Sequence, residues 1–288
     1  MPKKIEEQKD NPLKKYFRQP KIYLKLPSGG EFYNSNELDM PENNEVPVYP
    51  MTAKDELLFK TPDALINGQA TVDVIKSCIP NIRNPWSMPS IDMDAVLIAI
   101  RLATYGEKMT ISVKIPEIGD DKDFEIDLRT LLDSLINANY NSTVFYNDME
   151  IKIRPLNYDE FTKNAMSTFE EQKIYTLVND KTIPDDKKMK LFSESFMKLT
   201  DLTISIVSQS IVSIKVDGKI VSDQKQIKEF MDNVDKQFYQ AILDHITNQR
   251  DAFSVKPFKG TTTESEQKRG APKEFDVPIT FDQSNFFA

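Results

Sequence analysis

The chain has 288 residues, 37 lysines plus arginines against 45 aspartates plus glutamates, a formal charge of −8 and an apolar fraction of 39%. That length buries one substantial core or two modest ones, two being the expectation here, and the ordinary composition excludes disorder over most of the chain. The negative charge argues against wholesale binding to a phosphate backbone, and the absence of an eighteen-residue apolar run or a hydrophobic signal core argues against a membrane span or secretion.

In chain order, residues 1–20 are expected to be a basic flexible arm. Lys3, Lys4, Lys9, Lys14, Lys15 and Arg18, with Lys21 just beyond, outnumber Glu6, Glu7 and Asp10. Lys14, Lys15 and Arg18 are candidate contacts to an acidic partner. Residues 21–108 read as a hairpin followed by a helical module. KIYLKL alternates sides, Pro27 to Gly30 turns and EFY returns, while VPVYPM makes a further strand. Thr52, with Asp55 three residues on, caps a helix whose buried side is Leu57, Leu58 and Phe59. Thr61-Pro62 restarts a helix that Gly68 stops. Val72, Ile75, Cys78 and Ile79 mark the next apolar face, closed by Pro80, and a further helix runs from Asp92 to Tyr105-Gly106. Seventeen prolines against eight glycines fit this punctuated layout rather than loose linkers.

Residues 109–156 read as a β-rich insertion: TISVKI, FEIDL, a short helix at Leu131 to Ile136, then a hairpin turning at Asn147-Asp148. Residues 157–252 read as a helical region with a hairpin at 213–222 around Asp217-Gly218. Its apolar positions are Phe161, Ala165, Met166, Phe169 and Ile174, then Met189, Phe192, Phe196, Leu199, Ile204 and Val207, then Ile227 to Ile246. Residues 253–288 are expected to contain ribbon-like strands and an aromatic tail, in which Phe275, Phe281, Phe286 and Phe287 are candidate partner anchors, the alternative being that the tail folds back over the chain's own core. The fold class expected is α+β, a mainly helical core with small β-hairpins.

Two stretches echo each other. Gly119 to Leu128 and Gly270 to Ile279 share the form G-x-x-K-x-F-acid-β-x-aliphatic, where β is a β-branched residue, each after a strand, as in the halves of a zinc ribbon. Such a ribbon needs thiolates in its knuckles. Residues 115–118 and 261–269 contain no cysteine, so the element is expected to be degenerate and metal-free, and two unrelated hairpins give the same pattern. Cys78, the single cysteine, excludes an intrachain disulfide and sits on a buried helix face as an inert thiol.

No catalytic constellation is evident. Gly29-Gly30 lacks the phosphate-cradle pattern, the single histidine His245 has no nucleophile at a suitable spacing, and Asp120, Asp121, Asp123 and Glu125 lack EF-hand spacing. Asp92 and Asp94 are expected as helix caps. No enzyme, cofactor or metal site is expected.

The blocks PMTAKDELLFKTPDALINGQA, DMDAVLIAIRLATYGE, DFEIDLRTLLDSL, MEIKIRPLNYDEF and FDVPITFDQSNFF, in that order from about Lys21 to Phe287, resemble the T-even-like myophage baseplate hub and tail assembly chaperone family. Members carry paired cysteines in the two knuckles, and this chain departs from that pattern. The resemblance implies a non-enzymatic baseplate hub component or assembly factor, with other hub or tape-measure proteins as partners and no nucleic acid or membrane. It implies a place in the host cytoplasm during assembly and in the virion tail baseplate. The alternatives are a metal-dependent phage enzyme using the acids at 120–125, or a nucleic-acid adaptor using the basic arm.

Overall fold

Short β pairs are interleaved with helices around two main cores, the α+β arrangement expected. The computed structural model describes residues 11–59, 68–172 and 184–279.

Strand β1 (Ile22–Leu24) pairs antiparallel with β2 (Val46–Val48), Tyr23 opposite Pro47. The expected return strand at Glu31 to Tyr33 does not form. Gly29, Gly30 and Phe32 have φ of 64°, 87° and 69°, and left-handed residues at that spacing coil the chain into turns instead of extending it.

The helices α1 (Ala53–Phe59), α2 (Gln69–Cys78) and α3 (Met93–Tyr105) follow. At α1 the Thr52 N–H donates to Asp55 Oδ2 at 2.8 Å while the Asp55 N–H donates to Thr52 Oγ1 at 3.3 Å, a reciprocal capping arrangement. Phe59 is buried, but Leu57 is exposed and does not join the buried side as expected. The helix expected to start at Thr61 lies outside the described residues. Gly68, at φ 77°, is the N-cap of α2 rather than a C-terminal stop. An added Cβ there would lie 3.0 Å from the Tyr158 hydroxyl. In α3 every residue from Ala95 to Ala103 is buried, Arg101 included. Helix α4 (Leu128–Ile136), capped by the Asp127 carboxylate, packs on α3 and closes the first core.

The expected β-rich insertion at 109–156 divides between two sheets. Among the described residues, strands β3 (Lys108–Lys114) and β4 (Asp121–Asp127) form a two-stranded sheet with each other. Strands β5 (Thr143–Tyr146) and β6 (Met149–Ile153) join β7 (Ile211–Val216) and β8 (Lys219–Val221) in an antiparallel sheet of order β5-β6-β7-β8. Ile151, Ile153, Ile211 and Ile214 project from it into a second core with α7 (Gln224–Asn233) and α8 (Lys236–Ala252). Between the two sheet halves in sequence lie α5 (Tyr158–Gln172) and α6 (Asp185–Ser210). The two halves of the chain are tied where the Ser90 N–H donates to Leu156 O at 2.8 Å and Trp86 stacks on Tyr158 at 5.4 Å.

The echoed stretches meet in space. Strands β9 (Phe258–Thr261) and β10 (Glu274–Val277) flank the short α9 (Glu264–Lys268) and form a second hairpin, against which β3–β4 packs. Ile115, Ala271, Phe275 and Val277 are buried between the hairpins, and Phe124 meets both Phe258 and Phe275 edge-on. Gly260 makes the approach possible: a Cβ there would lie 2.7 Å from Val277 Cγ2 and 2.8 Å from Phe124 Cζ. Lys122 pairs with Glu266 at 2.8 Å, and Arg269 pairs with Asp120 through two hydrogen bonds, one at 3.1 Å. This third, small core joins positions far apart in sequence through apolar contact and ion pairs, with no thiolate in either knuckle.

Candidate partner interface

Helix α6 is 26 residues long and so spans about 39 Å. Its C-terminal part is anchored, with Val207, Ser208 and Ser210 buried, but its first half projects with α5 as an arm. On that arm the usual pattern of a surface helix is inverted. Met189, Phe192, Phe196 and Met197 of α6 and Phe161, Met166 and Phe169 of α5 are all exposed, Phe196 by 58% and Phe169 by 59%.

The arm's inner seam is polar. Ser195, 2% exposed, donates from its hydroxyl to Glu171 O at 3.0 Å and to Glu171 Oε2 at 2.8 Å. Lys198 reaches the same carboxylate at 3.3 Å, and Asn164 Nδ2 donates to Gln209 Oε1 at 3.2 Å. The Ser195 hydroxyl holds the Glu171 carboxyl below the usual range, with help from Lys198. Polar bonds therefore fix the spacing of the two helices while Met166, Met189, Phe196 and Met197 stand exposed.

At the base of the arm a cavity of about 660 Å³ opens between α5, α6, α8 and the start of α3. Its walls are mainly apolar and aromatic, including Met93, Phe161, Phe169, Leu243, Ile246 and Phe253, with Asp94, Arg154 and Arg250 among its polar groups. Burial pushes the Asp94 carboxyl up to about 6, against the lowering effect of a hydrogen bond from the Val255 N–H. Asp94 therefore lines this cavity while bound to Val255. Arg154 donates to both oxygens of Glu160 at 2.7 Å, which fixes the first turn of α5. Burial raises the Glu160 carboxyl, but Arg154 and the Asn157 N–H outweigh it and leave it lowered.

The N-terminal candidates separate by role. Residues Pro12–Tyr16 form a 3₁₀ turn in which Lys14 and Lys15 are exposed, beside exposed Leu13, Tyr16 and Phe17. Arg18 is turned inward: Nη2 donates to Ser77 O at 2.7 Å and Oγ at 2.8 Å, and Nη1 donates to Pro50 O and lies 3.3 Å from Asp55 Oδ2. The Asp55 side chain is 5% exposed, so the half-buried Arg18 acts as a clasp between the residues around Arg18 and helices α1 and α2. Phe275 is also turned inward, 8% exposed in the hairpin–hairpin core. Phe281, Phe286 and Phe287 lie outside the described residues.

The other chemical candidates are occupied structurally. Asp92 does not cap α3 with its side chain as expected. It is fully buried and accepts from the Ser28 N–H at 2.7 Å, the Ser28 hydroxyl at 2.6 Å and the Tyr33 hydroxyl at 3.1 Å. Burial pushes its carboxyl up to about 6 despite these donors. His245 Nε2 lies 2.8 Å from Asn141 O. Cys78 is buried, and burial pushes its thiol up to about 12. Asp120 is paired with Arg269, and Glu125 with Lys108 at 2.7 Å. Among the described residues no three His, Cys, Asp or Glu side chains are grouped as a metal site, and no helix is long and apolar enough to cross a membrane.

Sequence reasoning found the helices of the arm and their apolar positions, but not that several of these positions are exposed. The available signal was the interleaving of Lys187, Lys188, Lys190, Glu194 and Lys198 among those positions, which leaves no broad polar face opposite a narrow apolar stripe. The family described as T4 bacteriophage base plate protein matches the chain over residues 19–268. No curated protein and no solved structure matches it.

Proposed function

The chain belongs to the T4 bacteriophage base plate protein family, and from that premise we propose that it is a non-enzymatic baseplate hub component or baseplate and tail assembly factor that works by binding other phage proteins. The observation that carries this reading is the outward-facing apolar surface of the α5–α6 arm. Single exposed apolar residues are ordinary, but several phenylalanines and methionines gathered on one projecting helical pair form the kind of surface that partners cover. Aromatic and methionine side chains are enriched at such interfaces, and an exposed helix pair suits a groove or helical face on the partner.

The partners in this reading are other hub proteins or the tape-measure protein. Lys14 and Lys15 supply a secondary contact to an acidic surface, beside Leu13, Tyr16 and Phe17, while Arg18 fixes the root of that arm. Phe281, Phe286 and Phe287 remain candidate anchors, whereas inward-facing Phe275 contributes by holding the hairpins together.

The test is affinity capture of the tagged full chain from infected cells, beside a Phe192→Ser/Phe196→Ser double variant. The unaltered chain is expected to retain baseplate or tail proteins that the variant loses while keeping its helical circular dichroism. Equal capture by both would reject the arm as the binding surface. Fixed stoichiometry in purified virions would identify a resident subunit, and presence only in assembly intermediates a transient factor.

A further inference from the structure

We propose that two copies of this chain associate reciprocally through the β1–β2 ribbon, the basic end of each ribbon lying on the acidic end of the other. Residues 11–25 carry Lys14, Lys15, Arg18, Lys21 and Lys25 with no acid, whereas residues 26–53 carry Glu31, Glu37, Asp39, Glu42 and Glu45 with no base. The antiparallel ladder separates the two sets. Where β1 begins and β2 ends, the Lys21 N–H donates to Val48 O at 3.0 Å and Arg18 donates to Pro50 O and Ser77 O, so the turn bearing Lys15 is tied to that end. Where β1 ends and β2 begins, the loop between them carries the acids. A Cβ on Gly30 would lie 2.7 Å from Met40 Cε and 3.2 Å from Leu38 Cδ2, so Glu31 sits beside the stretch that leads to Glu42. That loop is held in place, the Asp39 N–H donating to Asn81 O at 2.9 Å and the Arg83 N–H to Glu37 O at 2.8 Å.

Some of these charges are engaged within the chain: Arg18 with Asp55, Asp39 with Arg83, and Glu37 with the Asn34 N–H and Asn84. Lys25 and Glu45 lie side by side just past the Leu24–Val46 pair and offset one another. Lys15, Lys21, Glu31 and Glu42 are exposed, and among the described residues none of the four makes an ion pair. The ribbon therefore has one bare positive end and one bare negative end, and a copy turned through a twofold axis presents the matching order of charges. Side-by-side alignment in the same direction would set lysine on lysine and glutamate on glutamate, which repels. Leu13, Tyr16 and Phe17 at the positive end, and Tyr23 between the ends, are exposed and give the contact apolar area. Both ends are fixed before they meet, so little ordering opposes association. A contact of two turns and a short ribbon belongs to the small, weak class below about 1,200 Å² of buried surface, and salt weakens it further. The inference deepens the reading of the basic turn given above by naming a second copy as the acidic surface it meets, and the α5–α6 arm takes no part in it.

The experiment is sedimentation of the purified full chain beside a Lys15→Glu/Lys21→Glu protein and a Glu31→Lys/Glu42→Lys protein. The unaltered chain is expected to form dimers with rising concentration in about 0.1 M salt and to lose them in about 1 M salt, as the screening length falls from about 10 Å to about 3 Å. Each variant alone carries like charge at both ends and is expected to dimerise at least about tenfold more weakly. An equimolar mixture of the two is expected to restore a dimer containing one copy of each. Four results would each overturn the proposal: an unaltered chain that stays monomeric to its solubility limit in low salt, association that persists in high salt, a variant that dimerises as the unaltered chain does, or a mixture that stays monomeric. All four positions are exposed, and circular dichroism checks the fold of each variant. Lys21→Glu and Glu31→Lys, mixed in the same way, replace any variant that folds poorly. No phage partner is present in this experiment, so its failure leaves the arm's role standing, and equal capture by the Phe192→Ser/Phe196→Ser protein would leave the dimer standing.

Discussion

Helices α3 and α6 both repeat apolar residues at helical spacing, yet one is enclosed and the other is bare over half its length. Around α3 the β1–β2 pair, α2 and α4 supply apolar neighbours on every side, so even Arg101 is covered. Along the first half of α6 the buried position is Ser195, and the phenylalanines face outward. Periodicity marks which residues can share a face; whether that face is covered depends on what the rest of the chain brings to it. The first helix is enclosed in the core, and the second carries exposed apolar residues along its first half.

The largest expected effect lies in the enclosed helix. Ile98 is fully buried, so Ile98→Ala removes packed methylenes and leaves a cavity that neighbours fill only in part. The expected loss is about 3–4 kcal/mol in urea unfolding. A loss below about 1 kcal/mol would mean that α3 can repack, and the contrast with α6 would weaken.

Next is the pH response of the buried carboxylate that holds the Pro27 to Tyr33 loop over the start of α3. Asp92 is raised in the fold to about 6 from an ordinary 3.8, so between those values the native state holds more protons than the unfolded chain. Its contribution to stability is therefore greatest at low pH and falls as pH rises from about 4 to about 6, by on the order of 2–3 kcal/mol. Asp92→Asn removes that slope, leaving the parallel one from Asp94, which titrates in the same window on the cavity side. Stability measured at fixed temperature across this range decides it: an undiminished slope in the variant would assign the effect elsewhere.

The hairpin clasp tests how far the echo matters. Gly260→Ala places a methyl against Val277 and Phe124, inside the normal contact limit, and is expected to cost about 1–3 kcal/mol. Thermal unfolding of the variant and of a Lys122→Ala protein separates packing from charge, loss of the half-buried Lys122–Glu266 pair being expected to cost less than the methyl clash. A neutral Gly260→Ala would mean the two hairpins do not bear on one another.

What the sequence made legible follows the range over which each signal acts. The Thr52–Asp55 cap, the Asn147-Asp148 and Asp217-Gly218 turns, and the Gly106 end of α3 are local, and each stands where its residues predict. Pairing at a distance was not legible. The strand pattern at Ile22 to Leu24 fits a nearby return as well as β2, and nothing local in β5–β6 announces that β7–β8 will extend its sheet. The echo was visible as a pattern, but its meaning required Gly260, whose role is to be small where two sheets touch. The inward turn of Arg18 was likewise hidden, because a basic residue in a basic stretch gives no sign that Ser77 and Asp55 await it.

The smallest effect on stability is expected where the effect on assembly is greatest. Phe196 is more than half exposed, and its replacement by serine removes little buried area, so unfolding free energy should change by no more than about 0.5 kcal/mol. Loss of an aromatic anchor from a partner's pocket weakens binding by roughly tenfold or more, about 1.4 kcal/mol. Measured together, unfolding and partner capture place Phe196→Ser and Ile98→Ala at opposite corners: one stable and unable to bind, the other destabilised but binding whenever folded. If Phe196→Ser instead destabilised the chain as much as Ile98→Ala, the arm's apolar face would be covered from within the chain. It would then be a second core face rather than a surface for assembly.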